Sequence, residues 1–256
     1  MERTAGRRAL DVGPALGFAG LLLLLWQLAT AAFAMPRWLL PSPVEIGAAL
    51  LAGRDLVLDH AARTLEETLL GLAAAFLIGV SLAVVMDRVA LARRALYPVL
   101  VASQTVPIVA IAPLLTIWFG FDVLPKVIVV ALVCFFPIVV STFDGLTSVD
   151  PDAVRLIRSM GATGSQLFWR VRWPAALPSL FSGTRIGVTY GVIGAIVGDW
   201  VGGSRGIGIY MMRAADQLLT ERVFAAIVVS SALSIALFLL VGAVERAALP
   251  WHRRAG

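Results

Sequence analysis

Four polar side chains that could contact a solute stand within apolar stretches of this 256-residue sequence: Ser103, Gln104, Tyr190 and Asp199. Ser103 and Gln104 precede Pro107, and polar groups beside helix-breaking prolines often line a cavity, although hydrogen bonds between helices explain them equally well. A carboxylate such as Asp199 is costly at membrane depth unless it faces water or a partner. It is a candidate gate residue, with an acid at the water-exposed end of a span as the alternative.

The sequence offers no set of residues for making or breaking bonds. His60 and His252 lie far apart, and Cys134 is the single cysteine. A metal site or a disulfide framework cannot be built from these residues. We therefore expect no catalytic residue, no metal site and no cofactor bound by this chain.

Composition identifies the elements that must position these side chains. The chain is 59% hydrophobic and 14% charged, with a mean hydropathy of +0.90, whereas soluble domains are roughly half apolar and a quarter charged. The net charge of +5 is scattered between apolar runs, which indicates arginines retained on the cytoplasmic side of a membrane and not nucleic-acid binding. We expect an all-α integral membrane protein.

Six apolar stretches are long enough for a helix of about 20 residues to cross a bilayer. They are Pro14–Ala34, Thr64–Met86, Tyr97–Phe119, Leu124–Phe143, Ser182–Val201 and Phe224–Val244. The first could be a signal peptide, but its apolar core exceeds the usual length of about 7–15 residues. We expect a retained helix and six transmembrane helices.

Charge counts predict the orientation. Of 21 Arg and Lys residues, thirteen fall on one side of these spans and seven on the other, while Arg185 lies inside the fifth span. Because positive residues concentrate in cytoplasmic loops, both termini are predicted to be cytoplasmic. The 144–181 connection then faces the cytoplasm.

This connection contains a predicted helix, a glycine turn and a second short helix. Asp150-Pro151-Asp152 is typical of a helix start,. Val154, Ile157 and Met160 form one apolar face, and Gly161 can end the helix in a left-handed conformation,. A second helix, about Ser165–Arg172, is predicted to end at Pro174 and Pro178. Such an element is either an amphipathic structure at the membrane surface or a knob that docks into a partner's groove.

A resemblance favours the second interpretation. Gly161, the nine residues after it, Val171 and Pro174 match the Gly, nine-residue and Ile-x-Leu-Pro pattern of the "EAA" loop in ABC importer permeases. Arg155-Leu156-Ile157 occupies the Glu-Ala-Ala positions and Trp173 stands where Leu is usual. Residues 104–121, 124–140 and 198–211 resemble the branch that imports sulfonate, taurine and nitrate, and 104–140 is most similar to members associated with thiamine-pyrimidine precursors and riboflavin.

The resemblance implies the type I ABC importer permease (MetI-like) fold, with a coupling helix that engages an ATP-hydrolysing subunit. It divides the chain into an N-terminal part (1–59), a core permease domain (60–245) with the coupling loop at 144–181, and a C-terminal tail (246–256). The implied partners are two ATP-binding subunits that carry ATP and Mg, a substrate-binding protein, a second permease copy and the lipid bilayer. The implied coupling residues are Asp152, Arg155, Arg158, Gly161, Ala162, Gln166, Val171 and Pro174.

The expected function is therefore that of a non-enzymatic permease subunit in the bacterial inner membrane. The favoured solute is riboflavin or a pyrimidine precursor of thiamine, and otherwise sulfonate, taurine or nitrate. An ion-coupled secondary transporter and a membrane-embedded enzyme are the alternatives. The first would show internal repeats and intramembrane ionisable residues, and the second would show convergent catalytic groups.

Overall fold

The computed structural model describes residues 2–201 and 203–251, with the side chains from residue 13 onward apart from residue 15. His252 and the predicted tail beyond residue 251 lie outside the described residues. All regular secondary structure in the described residues is helical. Its elements are α1 Glu2–Ala32, α2 Pro43–Ala52, α3 Arg54–Arg88, α4 Ala90–Ser103, α5 Ile108–Phe119, α6 Val123–Thr147, α7 Pro151–Ser159, α8 Gly164–Leu167, a π-helical turn Phe168–Arg172, α9 Trp173–Trp200, α10 Ile207–Asp216 and α11 Thr220–Ala248.

Four helical stretches in the described residues are long and apolar enough to cross a membrane: α3, α6, α11 and the continuous run from α8 to α9. The α4–α5 pair would be a fifth span if it crosses as one broken helix. In α1, the apolar stretch Leu16–Ala32 is slightly shorter than a typical span,. The structure therefore confirms the helical membrane class but supports four or five spans by length, where six are predicted.

The third predicted span, Tyr97–Phe119, is two helices bent by 98° to one another. The break follows Ser103, and α5 begins after Pro107, whose extended backbone (ψ 120°) ends the turn. Proline has no N–H to donate to the preceding turn and disfavours helical geometry in the residue before it. Its position therefore explains why the apolar run is not one straight helix.

Pro174 and Pro178 do not end the second short helix, so this prediction is wrong. The π-helical turn leads directly into α9, which contains both prolines. In this turn the Trp173 N–H donates to the carbonyl of Phe168, five residues earlier. Pro174 lies in the first turn of α9, where a missing N–H is tolerated. The helix therefore continues from the connection into the fifth predicted span.

Glycines bring α3 and α9 close to α6. A Cβ on Gly71 would lie 2.5 Å from the Val130 side chain, and one on Gly183 would lie 2.6 Å from the Ser141 Cβ. In the sequence, Gly183, Gly187 and Gly191 stand at the four-residue spacing that allows close backbone approach,, and the structure shows this approach. The resulting core contains Ala75, Val130, Cys134, Ile138, Leu180 and Ala195.

The described chain forms two compact units. The smaller contains the chain up to Leu58 together with Tyr210–Val229, and the larger contains Asp59–Ile209 and the chain from Ser230. In the smaller unit, the Ser42 side chain and Glu45 form a reciprocal capping box at the start of α2, and Trp26 packs against Phe224. All of the candidate site residues lie in the larger unit.

Candidate functional site

Local hydrogen bonds build the segment 150–174. The Asp150 carboxylate accepts from the N–H of Asp152 at 2.8 Å and caps α7. Asp152 in turn pairs with Arg155 one turn further on. Asp152, Arg155 and Arg158 are all exposed, so this face of α7 presents both charges to its surroundings.

The predicted glycine turn is present after α7. Gly161 has φ +85°, the left-handed conformation that favours glycine. Its N–H donates to the Arg158 carbonyl at 3.0 Å. The next helix begins with a capping box between Thr163 and Gln166, in which the Thr163 N–H donates to the Gln166 side chain at 2.9 Å.

The apolar side chains of this segment divide between the core and the surface. Val154, Leu167 and Phe168 are buried, whereas Leu156 and Met160 are 63% and 78% exposed. Met160 was predicted to share the face of Val154, but it lies beyond the last residue of α7 and points away from the core. The exposed face therefore combines apolar and charged groups, as protein-binding surfaces commonly do.

The remaining predicted coupling residues follow the same division. Gln166 is exposed, and Ala162, Val171 and Pro174 are half-buried. The segment is attached to the end of α3 by contacts that sequence reasoning missed. Arg172 donates to Asp87 at 2.9 Å, and the Arg88 guanidinium lies 4.1 Å above the Phe168 ring.

Three of the four predicted pathway residues line one cavity of about 940 Å³. Ser103, Gln104 and Tyr190 share it with Ser141, Phe135 and several aliphatic side chains. The side chain of Ser103 donates to the Leu100 carbonyl at 2.7 Å. Among the described residues that line this cavity, there is no carboxylate, ammonium, guanidinium or imidazole group.

Asp199, the fourth residue, does not line that cavity. It is fully buried. The alternative considered from the sequence, an acid exposed to water at the end of a span, is therefore wrong. Its carboxylate lies 2.5 Å from the Lys126 ammonium, which also contacts Glu67 at 3.0 Å. We call Glu67, Lys126 and Asp199 the buried charge cluster. Arg63 adds a second cation beside Glu67 at 3.2 Å.

Sequence reasoning missed Glu67 and Lys126 as partners of Asp199. Lys126 is the one lysine of the chain, and it stands at the start of a predicted span, which was a signal for a buried pair. Arg185, which the charge count left inside the fifth span, likewise pairs with Glu245 of α11. The chain therefore has more paired ionisable groups in its helices than the sequence indicated.

The buried charge cluster holds the turn between α9 and α10. Lys126 donates to the Arg205 carbonyl at 3.0 Å, and the Gly208 N–H donates to Asp199 at 3.0 Å. Two α3 side chains accept the neighbouring backbone N–H groups: His60 Nδ1 from Gly206 at 2.9 Å and Thr64 Oγ1 from Ile207 at 2.8 Å.

Gly206 is required in this turn for two reasons. Its φ of +128° is one that side-chain-bearing residues rarely adopt,. A Cβ at this position would also overlap the Asp199 carboxylate. In the described part of the chain, no group of three or more His, Cys, Asp or Glu residues could hold a metal ion.

The arrangement is that of a helical membrane protein with an exposed, rigidly capped segment and a cavity between its helices. Comparison with known proteins identifies its class. The chain belongs to the family of binding-protein-dependent transport system inner membrane components, whose model matches residues 75–249. It is thus a multi-pass inner-membrane protein and a permease subunit of an ABC importer of the binding-protein-dependent type.

Its relatives include permeases for several solutes. It is 39% identical to the formylaminopyrimidine transport permease protein ThiX of Halalkalibacterium halodurans, over 91% of this chain and 94% of that one. It is 35% identical to the riboflavin transport system permease protein RibX of Chloroflexus aurantiacus (93% and 91% covered). It is 32% identical to the taurine transport system permease protein TauC of Escherichia coli (91% and 87% covered).

A solved structure shares the fold. A chain of the MetNI methionine ABC transporter, in an inward-facing conformation, superposes with a TM-score of 0.57 at 18% identity. The match covers 74% of this chain and 98% of that one. The predicted MetI-like fold and the predicted branch of permeases are both confirmed.

Proposed function

We propose that this permease works as a homodimer above two ATP-binding subunits, and that the 150–174 segment is its coupling element. One observation carries the proposal. The segment is braced by caps at both short helices and yet exposes Leu156 and Met160. Exposed apolar side chains on a rigid helix suit the groove of a partner protein. ATP and Mg bind in that partner, and this chain makes or breaks no bonds.

A test of this contact substitutes the exposed Leu156. Leu156→Asp places a charge on the contact face without disturbing the core, and we expect about ten-fold weaker association with the ATP-binding subunit. Leu156→Met keeps an apolar side chain and serves as the matched control. Equal co-purification of the subunit with both variants, in detergent at fixed salt, would contradict the coupling role.

We propose that both termini are cytoplasmic and that the chain crosses the membrane six times, with α1 and the α4–α5 pair as two of the spans. The charge asymmetry of the loops supports this orientation, and it places the 150–174 segment in the cytoplasm. Cysteine substitution at exposed Ser204 and at exposed Ser165 tests it, because an impermeant thiol reagent should label only Ser204→Cys in intact spheroplasts. Labelling of Ser165→Cys from outside would overturn this orientation.

A second copy is supported by the cavity. Tyr190 is 52% exposed in the single chain, and Ser103 and Gln104 beside it are also exposed. Polar groups in membrane helices usually face a protein interior or water. A symmetric second copy would enclose these residues in a shared pathway. Native mass spectrometry of the purified importer should find two permease copies for two ATP-binding subunits.

We propose that the solute is a neutral heteroaromatic nutrient of the formylaminopyrimidine or riboflavin type, delivered by a substrate-binding protein. The cavity supports this choice over sulfonate, taurine or nitrate, since it offers hydroxyl, amide and aromatic groups but no cation. Burying a sulfonate or nitrate anion, or the two charges of zwitterionic taurine, without compensating groups is costly. ATP-driven uptake into vesicles, measured for riboflavin, the formylaminopyrimidine and taurine, tests it. Uptake of taurine alone would overturn the solute class, and uptake driven by an ion gradient without ATP would overturn the mechanism.

A further inference from the structure

The last turn of α3 holds the 150–174 segment by a half-buried ion pair and a cation–π contact. Only 5% of the Asp87 side chain is exposed, and Arg172 donates to it at 2.9 Å. Arg88 covers the ring of Phe168, which is itself buried. Removing either partner of a poorly exposed ion pair leaves an uncompensated charge. The contact therefore resists opening.

The other half of α3 holds a different turn. His60 and Thr64 accept the N–H groups of Gly206 and Ile207 in the 203–208 turn. Thr64 and Asp87 are 23 residues apart, which corresponds to about 35 Å along a helix, at 1.5 Å per residue. This length exceeds the hydrocarbon core of about 30 Å. One helix thus contacts a turn near each surface of the membrane.

Between these contacts, α3 is packed closely against α6. It is a single helix of 35 residues without proline. A Cβ on Gly71 would lie 2.5 Å from Val130, and one on Gly79 would lie 3.1 Å from Ile138. Closely packed interiors shift between discrete arrangements and do not deform continuously. A displacement at one end of α3 is therefore passed to the other end.

We propose that α3 is a rigid rod that joins the 150–174 segment to the 203–208 turn, with Asp87 and Arg88 as positioning residues at one end and His60 and Thr64 at the other. The inference rests on the proposed function, in which ATP binding in the partner moves the 150–174 segment. The ion pair between Asp87 and Arg172 stays formed throughout the transport cycle. Motion of the segment reaches the 203–208 turn through α3.

The test places a reporter on the far turn. Ser204 is exposed, so a fluorophore on Ser204→Cys reports the environment of this turn, and buried Cys134 does not compete for the label. The labelled permease is reconstituted in vesicles with its ATP-binding subunit and binding protein, and ATP with Mg is added. A fluorescence change is expected in the parent protein.

Breaking the ion pair between Asp87 and Arg172 should reduce the ATP-induced fluorescence change. Asp87→Asn removes the charge that holds Arg172, and the ATP-induced change should fall about ten-fold, within the range of measured coupling effects. Asp87→Glu restores the carboxylate and should recover most of the signal. Arg94→Gln removes an exposed cation near the same end of α3 and is the matched control. An undiminished response in Asp87→Asn overturns the rod.

A second pair of variants keeps the proposal testable if Asp87→Asn fails to fold. Thr64→Val removes the acceptor for the Ile207 N–H with little change of volume, and Thr64→Ser retains it. The reporter should lose its response in the first and keep it in the second, with the ATPase rate of the complex unchanged in both. Equal fluorescence responses in Thr64→Val and Thr64→Ser would contradict the α3 rod but not the proposed function. A parent protein that shows neither a reporter response nor ATP-driven uptake overturns the proposed function as well.

Discussion

Two glycine turns in the larger unit are held in different ways. The turn at Gly161 is exposed, and its hydrogen bonds join residues within five positions of one another. Gly206 is itself buried, and its turn is held by side chains from α3, α6 and α9. Lys126 and Asp199, the central pair, are 73 positions apart in the chain.

The difference separates two mechanical tasks. A turn braced by its own short-range hydrogen bonds keeps its shape when a partner protein binds it, because it does not depend on the packing of the membrane helices. A turn tied to three helices instead follows those helices when they move. The 150–174 segment is thus suited to receive a contact, and the 203–208 turn is suited to respond to one.

The largest effect is expected from removing the cation of the buried charge cluster. Lys126→Met leaves Asp199 without its cation and Glu67 with Arg63 alone. We expect destabilisation of about 3–5 kcal/mol, or a Tm lower by about 10 °C in detergent. The 150–174 segment supplies the comparison. There, Arg155→Met breaks only the exposed pair with Asp152 and should cost less than about 1 kcal/mol.

A double variant tests whether the pair itself causes the loss. Lys126→Met combined with Asp199→Asn removes one charge of each sign, and part of the lost stability should return because fewer charges are left unpaired. Scanning calorimetry of Lys126→Met, Arg155→Met and the double variant gives the comparison. A Tm of Lys126→Met within 2 °C of the parent, roughly 1 kcal/mol, would show that these charges contribute little to the fold.

A smaller effect separates the two glycines directly. Gly161→Ala meets open space and carries only the cost of a left-handed residue, about 1–2 kcal/mol. Gly206→Ala adds an overlap with the Asp199 carboxylate and should cost about 3 kcal/mol. Thermal unfolding should therefore rank Gly206→Ala below Gly161→Ala, and equal values would contradict the difference between the turns.

Gly161→Val sharpens the functional side of this comparison. A β-branched residue strains the left-handed turn further, so the Tm should fall at least as far as in Gly161→Ala, and ATP-driven uptake per folded permease should fall as well. If uptake and coupled ATPase activity both remain at the parent level, the turn at Gly161 has no part in coupling.

The sequence predicted the features that depend on neighbours along the chain. The left-handed Gly161, the start of α7 at Asp150 and the small-residue contacts of α9 with α6 could be predicted because spacing and residue type determine them. The break before Pro107 had its signal in the proline. The continuation of α9 through Pro174 had no such signal in the sequence, because a π-helical turn has no sequence signature as clear as a cap.

The long-range pairs could not be predicted from one sequence. Lys126 could have been paired with any buried acid, and nothing in the spacing selects Glu67 and Asp199. The same holds for Asp87 with Arg172, which are 85 positions apart. Their partners are decided by helix packing, which depends on the whole fold. These pairs are also the contacts on which the α3 rod depends.

The smallest expected effect lies in the other compact unit and depends on pH. The Ser42 N–H, which donates to the Glu45 carboxylate at 2.9 Å, lowers the pKa of Glu45, and Arg37 adds to this effect despite the opposing effect of burial. A lowered pKa in the folded state means that the ionised carboxylate stabilises the fold above the ordinary pKa of a glutamate, about 4.3. This contribution is lost as the pH falls through the folded-state pKa.

Glu45→Gln should therefore lower the Tm at pH 7 by a small amount and have less effect at acid pH, once the parent carboxylate is protonated as well. Ser42→Ala removes the acceptor for the Glu45 N–H and should cost about 1 kcal/mol; only the smaller part of this cost, from the Ser42 hydroxyl that donates to the Glu45 carboxylate at 3.0 Å, should depend on pH. Together the two variants separate the charge from the cap. A Glu45→Gln defect that is as large below the folded-state pKa of Glu45 as at pH 7 would mean that the side-chain amide fails as a hydrogen-bond acceptor and that charge contributes nothing at this helix start.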